Sequence, residues 1–236
     1  MPDLPRIPTG VPGLDALLEG GLAPGSFCMI EGDPMSATHY LVLACAAAGL
    51  AADEGCTFLC TKEFGETVAQ EIGAQGVSVA KRLSVVDTYS FQIDSNVHDT
   101  DMIQYVSSVS DMPKLSHVVI SAMSKHYSSG IMQQRLLIES VDTMAMYVPM
   151  QAVYRFLFFL KAKVKAFKGI GIFVYTSAVE GSNDRTMLIE LADALVRLSS
   201  ADDSVKVTIP ARGTRSGKYS FSDDRLDIMP FGMRMK

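Results

Sequence analysis

Residues 31–40, EGDPMSATHY, gather two carboxylates, a glycine, three hydroxyls and an imidazole at one junction. The run before them, SFCMIE (26–31), reads as a buried strand, and the run after them reads as a helix. A glycine-bearing turn between strand and helix is where backbone amides can cradle a phosphate, because the first helical turn leaves its N–H groups unpaired. A second carboxylate site stands at Glu139, near the end of the apolar run RLLIES (135–140). The other reactive types form no constellation. CTFLC puts Cys56 and Cys60 on one strand face, but no second pair or histidine cluster completes a zinc site. Cysteines 28, 45, 56 and 60 therefore read as buried thiols of a reducing, cytoplasmic compartment. Histidines 39, 98, 117 and 126 lack metal-ligand spacing, and no Ser-His-Asp set, G-x-S-x-G or H-E-x-x-H occurs. No metal site is expected.

The elements that must position these groups alternate. Helix runs from the junction to about Ala52, followed by a strand at TFLCT (57–61), a helix at GETVAQEIGAQG stopped by Gly76, and a strand at RLSVVD (82–87). Residues 111–127 contain a strand-like HVVIS, yet Leu115, Val118, Val119, Ala122, Met123 and Tyr127 fall at helical spacing behind Asp111 and Pro113, which predicts a helix. After the RLLIES strand come an amphipathic helix over Met150 to Phe167, the strand IGIFVYTS (170–177), a short helix, and three β-rich runs, ALVRLSS, SVKVTIPAR and KYSFSDDRLDI. Continuously apolar strands alternating with helices predict an α/β fold: a mostly parallel sheet covered on both faces, with an antiparallel C-terminal extension.

The 236 residues suit one large domain, 1–236, and 48% hydrophobic with 20% charged residues exclude general disorder. A net charge of −5 gives no global attraction to nucleic acid or anionic membrane. The N-terminus lacks a signal-peptide layout, and the longest apolar run, Tyr40 to Ala52, is 13 residues, too short to span a bilayer.

TGVPGLDALLEGGLAPGSFCMIEG (9–32) resembles the start of the RecA-superfamily ATPase domain in its KaiC/RadA-like branch, T-G-[IV]-x-x-L-D-x-L-L-x-G-G-[IL]-x-x-G-S. FLCTKE, RLLIESVDTM, LADALVRL and VKVTIPARGTRSGKYSF resemble the branch's later motifs across nearly the whole chain. The resemblance implies a RecA-like three-layer fold, usually assembled into rings or filaments with ATP at subunit boundaries.

It also fixes what the junction is compared with. A phosphate loop G-x-x-x-x-G-K-[ST] uses its glycines to face amides inward, its lysine to reach the β/γ-phosphates and its hydroxyl to hold Mg²⁺. Here Gly32 matches the first glycine, while the second falls on Ala37, the lysine on Thr38 and the hydroxyl on His39, with Asp33 and Ser36 between. Met35 stands where the family often has another glycine, so Met35 and Ala37 are strained if the backbone needs positive φ. Asp33-Pro34 reads as a helix cap that would occupy phosphate-binding amides and repel phosphate. Of the family's two adjacent glutamates, one of which polarises the attacking water, the first falls on Lys62 and the second on Glu63, which is read either as the remaining catalytic base or as a pairing partner of Lys62. The Walker B aspartate falls on Glu139, and in the K-x-R stretch that reaches a neighbour's γ-phosphate the lysine falls on Pro210 while Arg212 survives.

The loops that bind DNA in RecA relatives, SVDTMAMYVPMQ and TSAVEGSNDR, carry too little positive charge for that role, and LKAKVKAFK (160–168) reads as a solvated helix face. RGTRSGK (212–218) is a basic turn, and MAMYVPM (144–150) is either core or an adaptable protein contact. These readings converge on a non-hydrolysing pseudo-ATPase that needs neither ATP nor Mg²⁺ and assembles as a homo-oligomer or with an active paralogue, without nucleic acid or membrane. The alternatives are a nucleotide-binding protein or slow ATPase using Arg212, Glu139 and ATP with Mg²⁺, and a DNA-repair accessory paralogue.

Overall fold

The computed structural model describes residues 5–176, 183–210, 212–222 and 225–232. Its strands are β1 (Phe27–Gly32), β2 (Gly55–Cys60), β3 (Leu83–Asp87), β4 (Ile103–Tyr105), β5 (Gln134–Ile138), β6 (Ile170–Thr176), β7 (Ala194–Ser199), β8 (Ser204–Ile209), β9 (Gly213–Ser222) and β10 (Arg225–Pro230). Its helices are α1 (Pro12–Leu17), α2 (Thr38–Ala51), α3 (Gly65–Ala74), α4 (Met112–Ser128), α5 (Val141–Ala145), α6 (Met150–Phe167) and α7 (Asn183–Leu191). One sheet takes the order β10-β9-β8-β7-β1-β6-β5-β2-β3-β4.

From β7 to β4 all neighbours are parallel, and β7 to β10 are antiparallel. ALVRLSS is thus a correction to the expected antiparallel extension: as β7 it runs parallel to β1, because α7 supplies a crossover from β6. The extension begins at β8, and KYSFSDDRLDI divides between two strands. Strands β1, β2, β3 and β5 are buried along their whole length, as both faces are covered, whereas β7 alternates buried and half-buried.

Side-chain alternation sorts the core into two layers. Cys28, Ile30, Phe58, Val85 and Leu137 pack with α1, α2 and α3, while Phe27, Met29, Leu59, Val86 and Ile138 pack with α4 to α7. The helix over residues 111–127 is borne out: Asp111 caps α4, its Oδ1 accepting the Lys114 amide at 3.1 Å. All four cysteines are free and buried, and burial pushes the Cys45 and Cys56 thiols up to about 12.

The N-terminal motif is structural. Asp15 accepts from the Thr9 amide at 2.6 Å, the Thr9 hydroxyl at 2.7 Å and the Gly10 amide at 3.0 Å. Gly10 has φ +90°, and a Cβ there would lie 1.9 Å from Ala48 Cβ. The segment is clamped by Arg135, which lies buried inside a strand that reads as apolar. Its guanidinium donates to Glu54 at 2.5 and 3.1 Å and to the carbonyls of Pro8, Thr9 and Cys45 at 2.7 to 2.9 Å.

Candidate functional site

The carboxyl ends of β1, β5 and β2 deliver the 33–37 loop, Glu139 and Thr61 to Glu63 to one edge of the sheet, where ligands of open α/β sheets bind. The loop departs from expectation at Asp33. Helix α2 starts at Thr38 with Ala37 as its cap residue and no side-chain capping bond, so Asp33 does not cap it. Its Oδ2 instead accepts the Ser200 amide at 3.1 Å, and its own amide donates to the Leu198 carbonyl, tying the loop to the end of β7. Met35 does take the left-handed backbone, with φ +68°, and is 99% exposed, but Ala37 at φ −76° needs no glycine.

The loop closes on itself. A Cβ at Gly32 would meet Ser36 Oγ at 2.0 Å and Thr38 Cγ2 at 2.4 Å, so both side chains stand directly against the Gly32 backbone. Ser36 Oγ is enclosed with no hydrogen-bond partner among the described residues. The amides of Ala37, Thr38, His39 and Tyr40 likewise have no acceptor there, as expected of a first helical turn.

His39, on that turn, lies between two carboxylates. Its Nε2 is 3.1 Å from Glu71 Oε2 and its Nδ1 is 4.0 Å from Glu139 Oε1. Glu139 Oε2 accepts the Thr61 amide at 2.8 Å and the Lys62 amide at 3.0 Å, while Oε1 has no hydrogen bond among the described residues. Burial pushes the Glu139 carboxyl above its usual range, outweighing those two amides and the Lys62 charge. Glu63 does not pair with Lys62; its Oε1 accepts the following Phe64 amide at 2.9 Å. Among the described residues no group of three or more His, Cys, Asp or Glu is poised to hold a metal ion.

Arg212 is not brought to this edge. Ile209 faces Gly213, Thr208 faces Leu195 and Gly32 faces Leu198, so the turn before β9 sits at the opposite end of the sheet. That is a strand length of about 20 Å from its own chain's loop. Arg212 Nη1 bonds Glu19 at 2.7 Å, and Arg215 bonds the same carboxylate. MAMYVPM splits: Met144 and Met150 are buried, while Met146 and Tyr147 are exposed. Of TSAVEGSNDR, residues 177–182 lie outside the described residues.

Two features were missed in the sequence. Glu71 meets His39 across α3 and α2, which no short spacing signals. Glu31, at the end of fully buried β1, is bonded by Arg185 Nη2 at 2.8 Å and Arg197 Nε at 2.9 Å. Burial alone would raise the Glu31 carboxyl, but the two guanidiniums hold it below the usual range. A carboxylate closing a wholly buried strand was the signal, because such a charge needs partners.

One mostly parallel sheet between two helix layers, with a strand–loop–helix turn at its carboxyl edge, fits the RecA-like class of P-loop NTPase folds. The model of the family described as "ATPase: KaiC" matches residues 7–235, and the chain belongs to that family. A KaiC-like protein from the hyperthermophilic archaeon Pyrococcus horikoshii OT3 has a similar solved structure, with a TM-score of 0.66. The likeness covers 95% of this chain and 99% of that one at 16% identity, which speaks to fold alone. Comparison with the curated proteins finds no match.

Proposed function

We propose that this chain is a pseudo-ATPase of the KaiC family, a regulatory or scaffolding subunit that assembles with its own copies or with an active paralogue. The loop itself carries the reading, since Thr38 and His39 stand where a phosphate loop has its lysine and its hydroxyl, and Ser36 and Thr38 pack directly against Gly32. The surrounding groups support it. Asp33, Glu63, Glu71 and Glu139 border the site against Lys62 and His39, and His39 stands where a hard, oxygen-seeking Mg²⁺ would want a hydroxyl. These residues do not fit a Mg-nucleotide, and Glu63 and Glu139 act here as structural acceptors of amides.

One observation favours nucleotide binding instead. Left-handed Met35 and the unpaired amides of Ala37 to Tyr40 keep part of a phosphate cradle's backbone. A gain-of-function variant separates the two. Ala37→Gly, Thr38→Lys and His39→Ser together are expected to create Mg-ATP binding that the wild type lacks, read by thermal shift. ATP turnover by the wild type, lost on Glu139→Gln, would overturn the pseudo-ATPase reading.

A further inference from the structure

Helices α4 and α6, which cover one face of the sheet, carry six Lys/Arg and no Asp/Glu in a chain of net charge −5. On α6 the core is served by Met150, Val153, Phe156, Leu157, Leu160 and Val164. Yet Phe158 is 60% exposed and Phe159 45% exposed on the outer side. Tyr154 stacks on Phe158 with centroids 6.4 Å apart, and Lys163 Nζ lies 5.4 Å from the Phe159 centroid. Arg155 and Lys165 are exposed beside them. Lys161 is the paired member of the run, bonded to Asp193 and the Leu191 carbonyl.

We propose that this face of α6 docks the protein peripherally on an anionic phospholipid surface. Phe158 and Phe159 enter the headgroup–acyl boundary, and Arg155, Lys163 and Lys165 meet the headgroup charges. The apolar stripe of α6 is packed on the sheet, so the contact rests on the two outward phenyl groups and the cations beside them, not on a whole helix face. Each basic residue near such a surface adds to the attraction. Among the described residues, the carboxylates on or beside the elements packed against α6 are Asp142 on α5, whose Oδ1 accepts the Thr176 amide, Asp184 and Glu190 on α7, Asp193, which is paired with Lys161, and Asp111, which caps α4. A duplex would find phenyl groups, which carry no donor for base edges, at the centre of this face; a single strand could stack on them, and added oligonucleotide displacing the vesicles would count against the proposal. No helix among the described residues is long and apolar enough to cross a membrane; a peripheral contact departs from the expectation of no membrane partner, because the local charge of this face opposes the net charge of −5.

The test is co-sedimentation of the full chain with vesicles of phosphatidylcholine alone or mixed equally with phosphatidylserine. Binding to the mixed vesicles only, weakened by salt, is expected. Phe158→Ser with Phe159→Ser should lower partitioning by about tenfold, and Lys163→Glu with Lys165→Glu by at least as much, at unchanged circular dichroism. No binding to mixed vesicles, or binding that neither pair of substitutions weakens, overturns the proposal. So does self-association in ultracentrifugation that the phenyl variant abolishes, since the face then belongs to a second copy.

Discussion

Glu139 holds a buried carboxylate with one oxygen bonded twice and the other not at all. Its folded-state pKa is raised above 4.5, so the folded chain keeps a proton that the unfolded chain has released. The stability this group contributes is fully present below pH 4.5 and is lost as pH rises through the raised folded value. Glu139→Gln keeps an acceptor for the Thr61 and Lys62 amides and removes the charge. At pH 8 the variant should be more stable by about 1 kcal/mol, the order of one unsatisfied buried acceptor, and at pH 4 the difference should vanish. Thermal unfolding at the two pH values checks this, and an equal shift at both would contradict it. His126 runs the opposite way. It is 3% exposed, its Nε2 has no partner among the described residues, and burial lowers its pKa below 6.5. The stability that neutral His126 supports is present above pH 6.5 and falls as pH drops below that value. His126→Gln should flatten the stability profile between pH 5 and pH 6.5, as followed by urea unfolding.

At the scale of elements, the Arg135–Glu54 pair joins β5, the end of α2 and the N-terminal segment that carries Thr9 and Gly10. Glu54→Gln removes the guanidinium's charged partner and should cost about 3 kcal/mol in denaturant unfolding, and Arg135→Met should cost at least as much, because it also strips the carbonyls of Pro8, Thr9 and Cys45 of their donor. A Glu54→Gln cost under about 1 kcal/mol would show that the carbonyls of Pro8, Thr9 and Cys45 hold the guanidinium alone. This pair also marks where sequence reading stopped: its partners are 81 residues apart, so Arg135 passed as part of an apolar run. The long elements were legible because burial on both faces leaves continuous apolar strands, and α4 announced itself through Asp111 and Pro113. The short ones, α1, β4 and α5, span three to six residues and carry too little periodicity to read. Asp33-Pro34 had the composition of a cap, but the chain spends three more residues in the loop before α2 begins, and Ser200 takes the carboxylate.

Across the whole molecule, the proposed function sets the N-terminal motif, which is bonded together, against a loop whose residues are not those of a phosphate cradle. Asp15 accepts from Thr9 and Gly10 and so fixes the segment before α1, while Ser36 and Thr38 pack against Gly32 and His39 lies beside Glu139 at the loop edge. The ends of the sheet differ as well: the loop edge carries Asp33, Glu63 and Glu71, and the opposite end carries Arg212 and Arg215 around Glu19. Assembly through these surfaces should therefore be independent of nucleotide, and ultracentrifugation with and without Mg-ATP should give one and the same distribution. A nucleotide-driven change in size would contradict that.

Calorimetric titration of the purified chain with Mg-ATP and Mg-ADP asks whether the 33–37 loop holds phosphates. For a pseudo-ATPase no saturable heat is expected up to about millimolar nucleotide, where binding free energies fall to about −4 kcal/mol. Saturable, Mg²⁺-dependent binding at micromolar concentration, abolished by substitution at Thr38 or His39, would contradict the pseudo-ATPase reading.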